Sequence, residues 1–159
     1  MKTAAPKPAF ELVMSRVIDA PRERVFAAWS EPAQLSRWFA PKPLTLPKCE
    51  MDFRPGGSFS MAMRAPDGTE YPFSGVYREI VPPSKLSWTG RFPTGPADQI
   101  STTVVFEEQG GKTKLAVRQA FSVLTPAAEP HAKGAERGWT ATLDQLAAHC
   151  AGKEGAPGA

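Results

Sequence analysis

Histidine, cysteine and paired carboxylates carry most protein chemistry, and this chain is sparing with the first two. Its two histidines are His131 and His149, and its two cysteines are Cys49 and Cys150. None of them stands at metal-ligand spacing, so no metal site is expected. No Gly-x-Ser-x-Gly elbow, paired-His motif, Walker loop or dinucleotide fingerprint occurs. Gly56 and Gly57 lack the following helix and Lys that phosphate binding needs, and read as a turn. Arg64, Glu70, Tyr77, Arg118 and His131 are the polar groups that could enter a pocket. Glu70 or Tyr77 could serve as an acid or base, but a tyrosine, with a reference pKa near ~10, needs strong tuning to work as a base at neutral pH. For Arg64, Glu70 and Arg118 the competing reading is the surface ion pair, since lone charges are rarely buried. His149 falls late in the last helix and is expected to be exposed. No catalytic set emerges, and no cofactor is implied.

The elements that must position these groups are legible from periodicity. Phe10 to Ile18 reads as a strand with Phe10, Leu12 and Met14 on one face, although Val13 and Val17 blur the alternation. Pro21 and Pro32 each stand where a first helical turn begins, because a fixed φ suits that position and the missing N–H costs nothing there. Glu23 favours the positive end of the first helix dipole. Val25, Phe26 and Trp29, then Leu35, Trp38 and Phe39, recur at helical spacing. Leu44 to Phe53 reads as a strand whose Pro47 requires an edge or a bulge. Ser58 to Arg64 alternates, with Phe59, Met61 and Met63 facing one way. The Asp67-Gly68 step signals a hairpin into a strand from Tyr71 to Val81. Leu86 to Phe92 follows, and Pro93 to Pro96 forms a loop. Ile100 to Glu107 and Thr113 to Phe121 make the last hairpin around Gly110 and Gly111. From about Ala132, Trp139, Leu143, Leu146 and Cys150 mark an amphipathic helix. The predicted order is β-α-α-β6-α: an α+β domain in which an antiparallel sheet curves around a long carboxy-terminal helix.

Composition sets the bounds. A chain of 159 residues with 42% hydrophobic content suits one domain and can fill one core. The expected division is a flexible tail over 1–9, a single domain over 10–151 and a second tail over 152–159. The net charge of +3 is mild and the basic residues are scattered, which excludes a nucleic-acid footprint. No apolar stretch approaches the ~20 residues that span a bilayer. The amino terminus is broken by prolines and has no apolar core, unlike a signal peptide. Cys49 and Cys150 are too few for a disulfide framework and are expected to be reduced thiols, so a cytoplasmic bacterial protein is the expectation.

Five short signatures resemble one family. They are Ile18 to Pro21 with Val25, Phe26, Trp29, Pro32, Leu35 and Trp38; Arg54 to Phe59; Pro66 to Tyr71; Gly75 with Val81 to Leu86; and Gly138 to Leu146. In this order they resemble the activator of heat-shock-protein-90 ATPase homologue group within the START-like (SRPBCC) superfamily. The resemblance covers roughly residues 10–151 and implies the helix-grip fold, also seen in the birch-pollen allergen. The eukaryotic activators carry an extra amino-terminal domain with an Asn- and Trp-rich motif, whereas this chain has no Asn and few residues before its first strand.

That fold implies an internal cavity, because one helix cannot fill the concave side of a curved sheet and two short helices close one end. The candidate lining is Trp38, Phe39, Met61, Met63, Phe73, Tyr77, Trp88, Phe106, Trp139 and Leu143, with Trp38 at the mouth. The competing reading is that these residues are simply core, where large apolar side chains usually lie. Met61 and Met63 suit either gap filling or an adaptable ligand surface. Gly138 either begins the last helix or leaves room beside the sheet. Three functions follow: binding of an apolar, lipid or aromatic small molecule; partnership with a chaperone ATPase, as the family name implies; and polyketide cyclase or aromatase chemistry, which also uses this fold. Binding is preferred because no distinct catalytic set is present.

Overall fold

A computed structural model describes residues 10–91, 100–122, 126 and 129–151, with the side chains of Arg91 and of residues 129–131 left aside. The expected tails, the Pro93 to Pro96 loop and the His131 side chain lie outside this set. Strand β1 (Phe10–Ile18) leads into helices α1 (Arg22–Ser30) and α2 (Pro32–Trp38). Pro21 sits one residue ahead of α1 in extended conformation, while Pro32 opens α2 itself. Strands β2 (Thr45–Met51), β3 (Ser58–Arg64), β4 (Glu70–Val81), β5 (Lys85–Arg91), β6 (Ile100–Gln109) and β7 (Lys112–Phe121) follow, and α3 (Glu129–Cys150) closes the fold. This is the α+β order that the periodicity predicts and the helix-grip fold that the resemblance implies, with α3 starting a few residues earlier than Ala132.

All seven strands form one antiparallel sheet in the order β1-β7-β6-β5-β4-β3-β2. Neighbours in sequence are neighbours in space from β2 to β7, so hairpins build most of the sheet. The exception is β1, which pairs with β7 at the opposite edge from β2. The α1-α2 segment must therefore cross from one edge of the sheet to the other, and it closes one end in doing so. Pro47 lies on the β2 edge beside a register shift between Thr45 and Lys48, so the missing N–H is tolerated on both grounds.

The concave face follows the alternation along each strand. Leu12, Phe59, Met61, Tyr77, Leu86, Thr102, Val104, Phe106, Leu115 and Val117 are buried, and Trp139, Leu143, Leu146 and Cys150 of α3 pack on them. Val13 and Val17 point outward at 67% and 51% exposure, so the alternation along β1 is real, and its outer face mixes these valines with Glu11 and Ser15. The close approach of β3, β4 and β5 depends on Gly75. It pairs with Phe59 on one side and Gly90 on the other. A Cβ there would meet the Thr89 carbonyl oxygen at 2.0 Å and the Phe59 ring at 2.7 Å. The ring thus occupies the space a side chain would take.

Side chains lock the helices onto the sheet. Gln145 of α3 donates through Nε2 to the carbonyls of Trp38 and Ala40, each at 2.8 Å, and its Oε1 accepts from the Lys42 N–H at 2.9 Å. The carbonyls that α2 leaves unpaired at its end are satisfied this way. Arg24 of α1 donates to the Cys150 carbonyl at 3.2 Å, the favoured cation at a helix C-terminus. Arg16 of β1 pairs with Asp144 of α3. His149 is half-buried, with its Nε2 2.9 Å from the Gln34 Oε1, because α2 packs close enough to cover it. The expectation of an exposed ring is corrected. Cys49 and Cys150 are not joined in a disulfide. No helix among the described residues is long and apolar enough to cross a membrane.

Candidate apolar groove

Between α3 and the strands β3 to β7 lies a groove of about 590 Å³. Its walls come from Phe39 just after α2, Phe59 and Met63 of β3, Phe73 of β4, Trp88 of β5, Phe121 of β7 and Trp139 of α3. The volume exists because α3 is thin where it crosses. Gly134 and Gly138 both line the groove, and a Cβ at either would meet nothing within 4 Å. Gly138 therefore lies well inside the helix and leaves open space, resolving the alternatives its position raises.

Of the sequence candidates, Phe39, Met63, Phe73, Trp88 and Trp139 border the groove. Met61 and Tyr77 instead border a small adjoining space of about 20 Å³, roughly enough for one water, which shares Phe39, Phe59, Phe73 and Trp88 with the groove. Trp38, Phe106 and Leu143 line neither and are sealed in the core at 0%, 1% and 0% exposure. Trp38 is not at the mouth. Its indole N–H donates to the Ala28 carbonyl at 3.0 Å, which turns the ring under α1, away from the groove. The adjacent Phe39 takes the position expected of it. Trp29, at the hub of the aromatic cluster, stands 4.7 Å from Trp38, 5.8 Å from Trp88 and 6.2 Å from Trp139, ring centre to ring centre. Its own N–H has no acceptor among the described residues.

The polar groups of the groove are few and mostly held by one another. Trp139 Nε1 donates to Gln119 Oε1 at 3.1 Å, and Gln119 Nε2 donates to Thr102 Oγ1 at 3.1 Å. Thr102 and Gln119 are direct cross-strand partners on β6 and β7, so the sheet register sets their contact. Thr142 donates to the Phe39 carbonyl at 3.3 Å. Glu70, at the rim, is bound by Arg64 at 2.6 Å, the ion pair that competed with an acid-base role. Arg118 likewise pairs with Glu11. Burial pushes the Tyr77 phenol far above its ordinary value, with Cys49 adding to the effect, so this group stays protonated at neutral pH and cannot act as a base there. Gln119 and Thr102 escaped the sequence reading because both fit an ordinary β-strand pattern. The inward position of Thr102, alternating with Val104 and Phe106, was the one available signal. Among the described residues no three His, Cys, Asp or Glu side chains cluster as a metal site would require.

A curved antiparallel sheet gripping one long helix, with an apolar groove between them, defines a START-like domain of the general ligand-binding type. The family model for Activator of Hsp90 ATPase homolog 1-like protein matches residues 19–151, and the chain belongs to that family. Solved structures agree. A protein of Chromobacterium violaceum is 31% identical, with a TM-score of 0.76 over 87% of this chain and 95% of its own. One from Nitrosomonas europaea is 25% identical, with a TM-score of 0.79 over 91% and 96%. An AHSA1-like protein of Aeromonas hydrophila is also 25% identical, with a TM-score of 0.71 over 91% and 96%. No curated protein matches the sequence.

Proposed function

We propose that this protein binds an apolar or aromatic small molecule in the groove between α3 and the sheet. The carrying observation is the groove itself. Its volume of about 590 Å³ falls in the range of small-molecule sites, and its walls are aromatic and aliphatic with a short set of polar groups. Two features favour binding over turnover. Tyr77 does not border the groove, and Glu70 is engaged by Arg64 at the rim. The family name supplies no further argument, since one fold carries many activities.

Native mass spectrometry of the purified protein, with indole fluorescence across a lipid and aromatic library, tests the reading. Trp88 and Trp139 border the groove, so occupation should shift the emission. A protein that retains nothing and answers to no library member would overturn it.

A further inference from the structure

The chain of hydrogen bonds across the groove has a direction. An indole nitrogen only donates, so the atom of Gln119 facing Trp139 must be the amide oxygen. The amide nitrogen then faces Thr102 and donates to its hydroxyl oxygen. Thr102 accepts, and its own proton must point elsewhere. Thr102 is 1% exposed as a residue, and its hydroxyl makes no second hydrogen bond among the described residues. Gln119 Nε2 has a second N–H, on a half-buried side chain that borders the groove. A buried donor without an acceptor is costly, and the cost is removed when something supplies one.

Charge narrows the class further. Among the described residues, the ionisable side chains bordering the groove are Glu70 and Tyr71, and no cation borders it. A carboxylate drawn into this apolar space would find no bordering counter-charge among the described residues to offset the hydration it loses. We infer that the groove selects an uncharged ligand that presents a hydrogen-bond acceptor, such as a ketone, ester or amide carbonyl, to Thr102 and Gln119. This inference rests on the binding function proposed above.

Three probes of nearly one shape test it: 2-ethylnaphthalene, 2-acetylnaphthalene and 2-naphthoate, measured by equilibrium dialysis at pH 7. The ketone should bind about tenfold tighter than the hydrocarbon, the size of one well-placed neutral hydrogen bond. The naphthoate should bind at least about tenfold more weakly than the ketone. Thr102→Val removes one of the two donors while keeping the shape, and should cut the ketone's advantage over the hydrocarbon with the hydrocarbon unchanged. Thr102→Ser should keep the preference, and both variants are checked for folding by circular dichroism. Equal binding of ketone and hydrocarbon, a preference undiminished by Thr102→Val, or tightest binding of naphthoate would each overturn the inference and leave the groove a binding site. Failure of both neutral probes to bind would overturn the inference together with the proposed function.

Discussion

Gly134 and Gly138 lie one turn apart on α3, and both border the groove with open space where their side chains would be. Glycine inside a helix costs up to ~1 kcal/mol relative to alanine, so this face of α3 gives up helix stability for room. Gly134→Ala and Gly138→Ala should each raise stability by about 0.5–1 kcal/mol in urea unfolding, since neither methyl meets a neighbour. Gly138→Leu should fill the groove and weaken ligand binding. A loss of stability in the alanine variants would show that the space is not open.

Met63 stands on the β3 wall and is only half-buried. Met63→Trp adds bulk on the open side, so it should weaken binding of an aromatic probe while the unfolding midpoint stays close to that of the parent. Overpacking a closed core instead costs about 1–3 kcal/mol. A drop of that size would place Met63 in solid packing.

Leu143 is fully buried one turn beyond Trp139, where α3 meets the sheet directly. Leu143→Ala should cost about 2–5 kcal/mol, from lost burial and the cavity left behind. Chemical denaturation gives the value. A change near zero would mean that α3 does not grip the sheet through this stripe.

Alkaline pH should destabilise the protein through Tyr77 and Cys49. Burial raises both groups above their ordinary values of 10.0 and 9.0. The unfolded chain therefore releases these protons first, so stability is complete below about pH 9 and is lost as pH rises above it. The double variant Tyr77→Phe, Cys49→Ala should show a flatter decline between about pH 9 and 11. An unchanged slope would assign the alkaline loss to other groups.

What the sequence by itself determined is what depends on near neighbours. The period-two runs of β3, β6 and β7, the turns at Asp67-Gly68 and Gly110-Gly111, and the four-three-four stripe from Trp139 to Cys150 all arise within a few residues. Steric and hydrophobic preferences act at that range, so the element order could be read directly. The sequence also showed which faces are apolar. It did not show which part of an apolar face meets packing and which meets open space. Trp38 and Phe39 are adjacent large aromatics, yet one is sealed beneath α1 and the other borders the groove. Trp139 and Leu143 share one helical stripe, yet only the first reaches the groove. That difference depends on where α3 crosses the sheet, on Gln145 anchoring the end of α2, and on the pairing of β1 with β7 across the fold. These are contacts between residues far apart in the chain, and the pairing of Thr102 with Gln119 is another. Only the tertiary structure brings such groups together, because no local preference of either residue encodes the other's position.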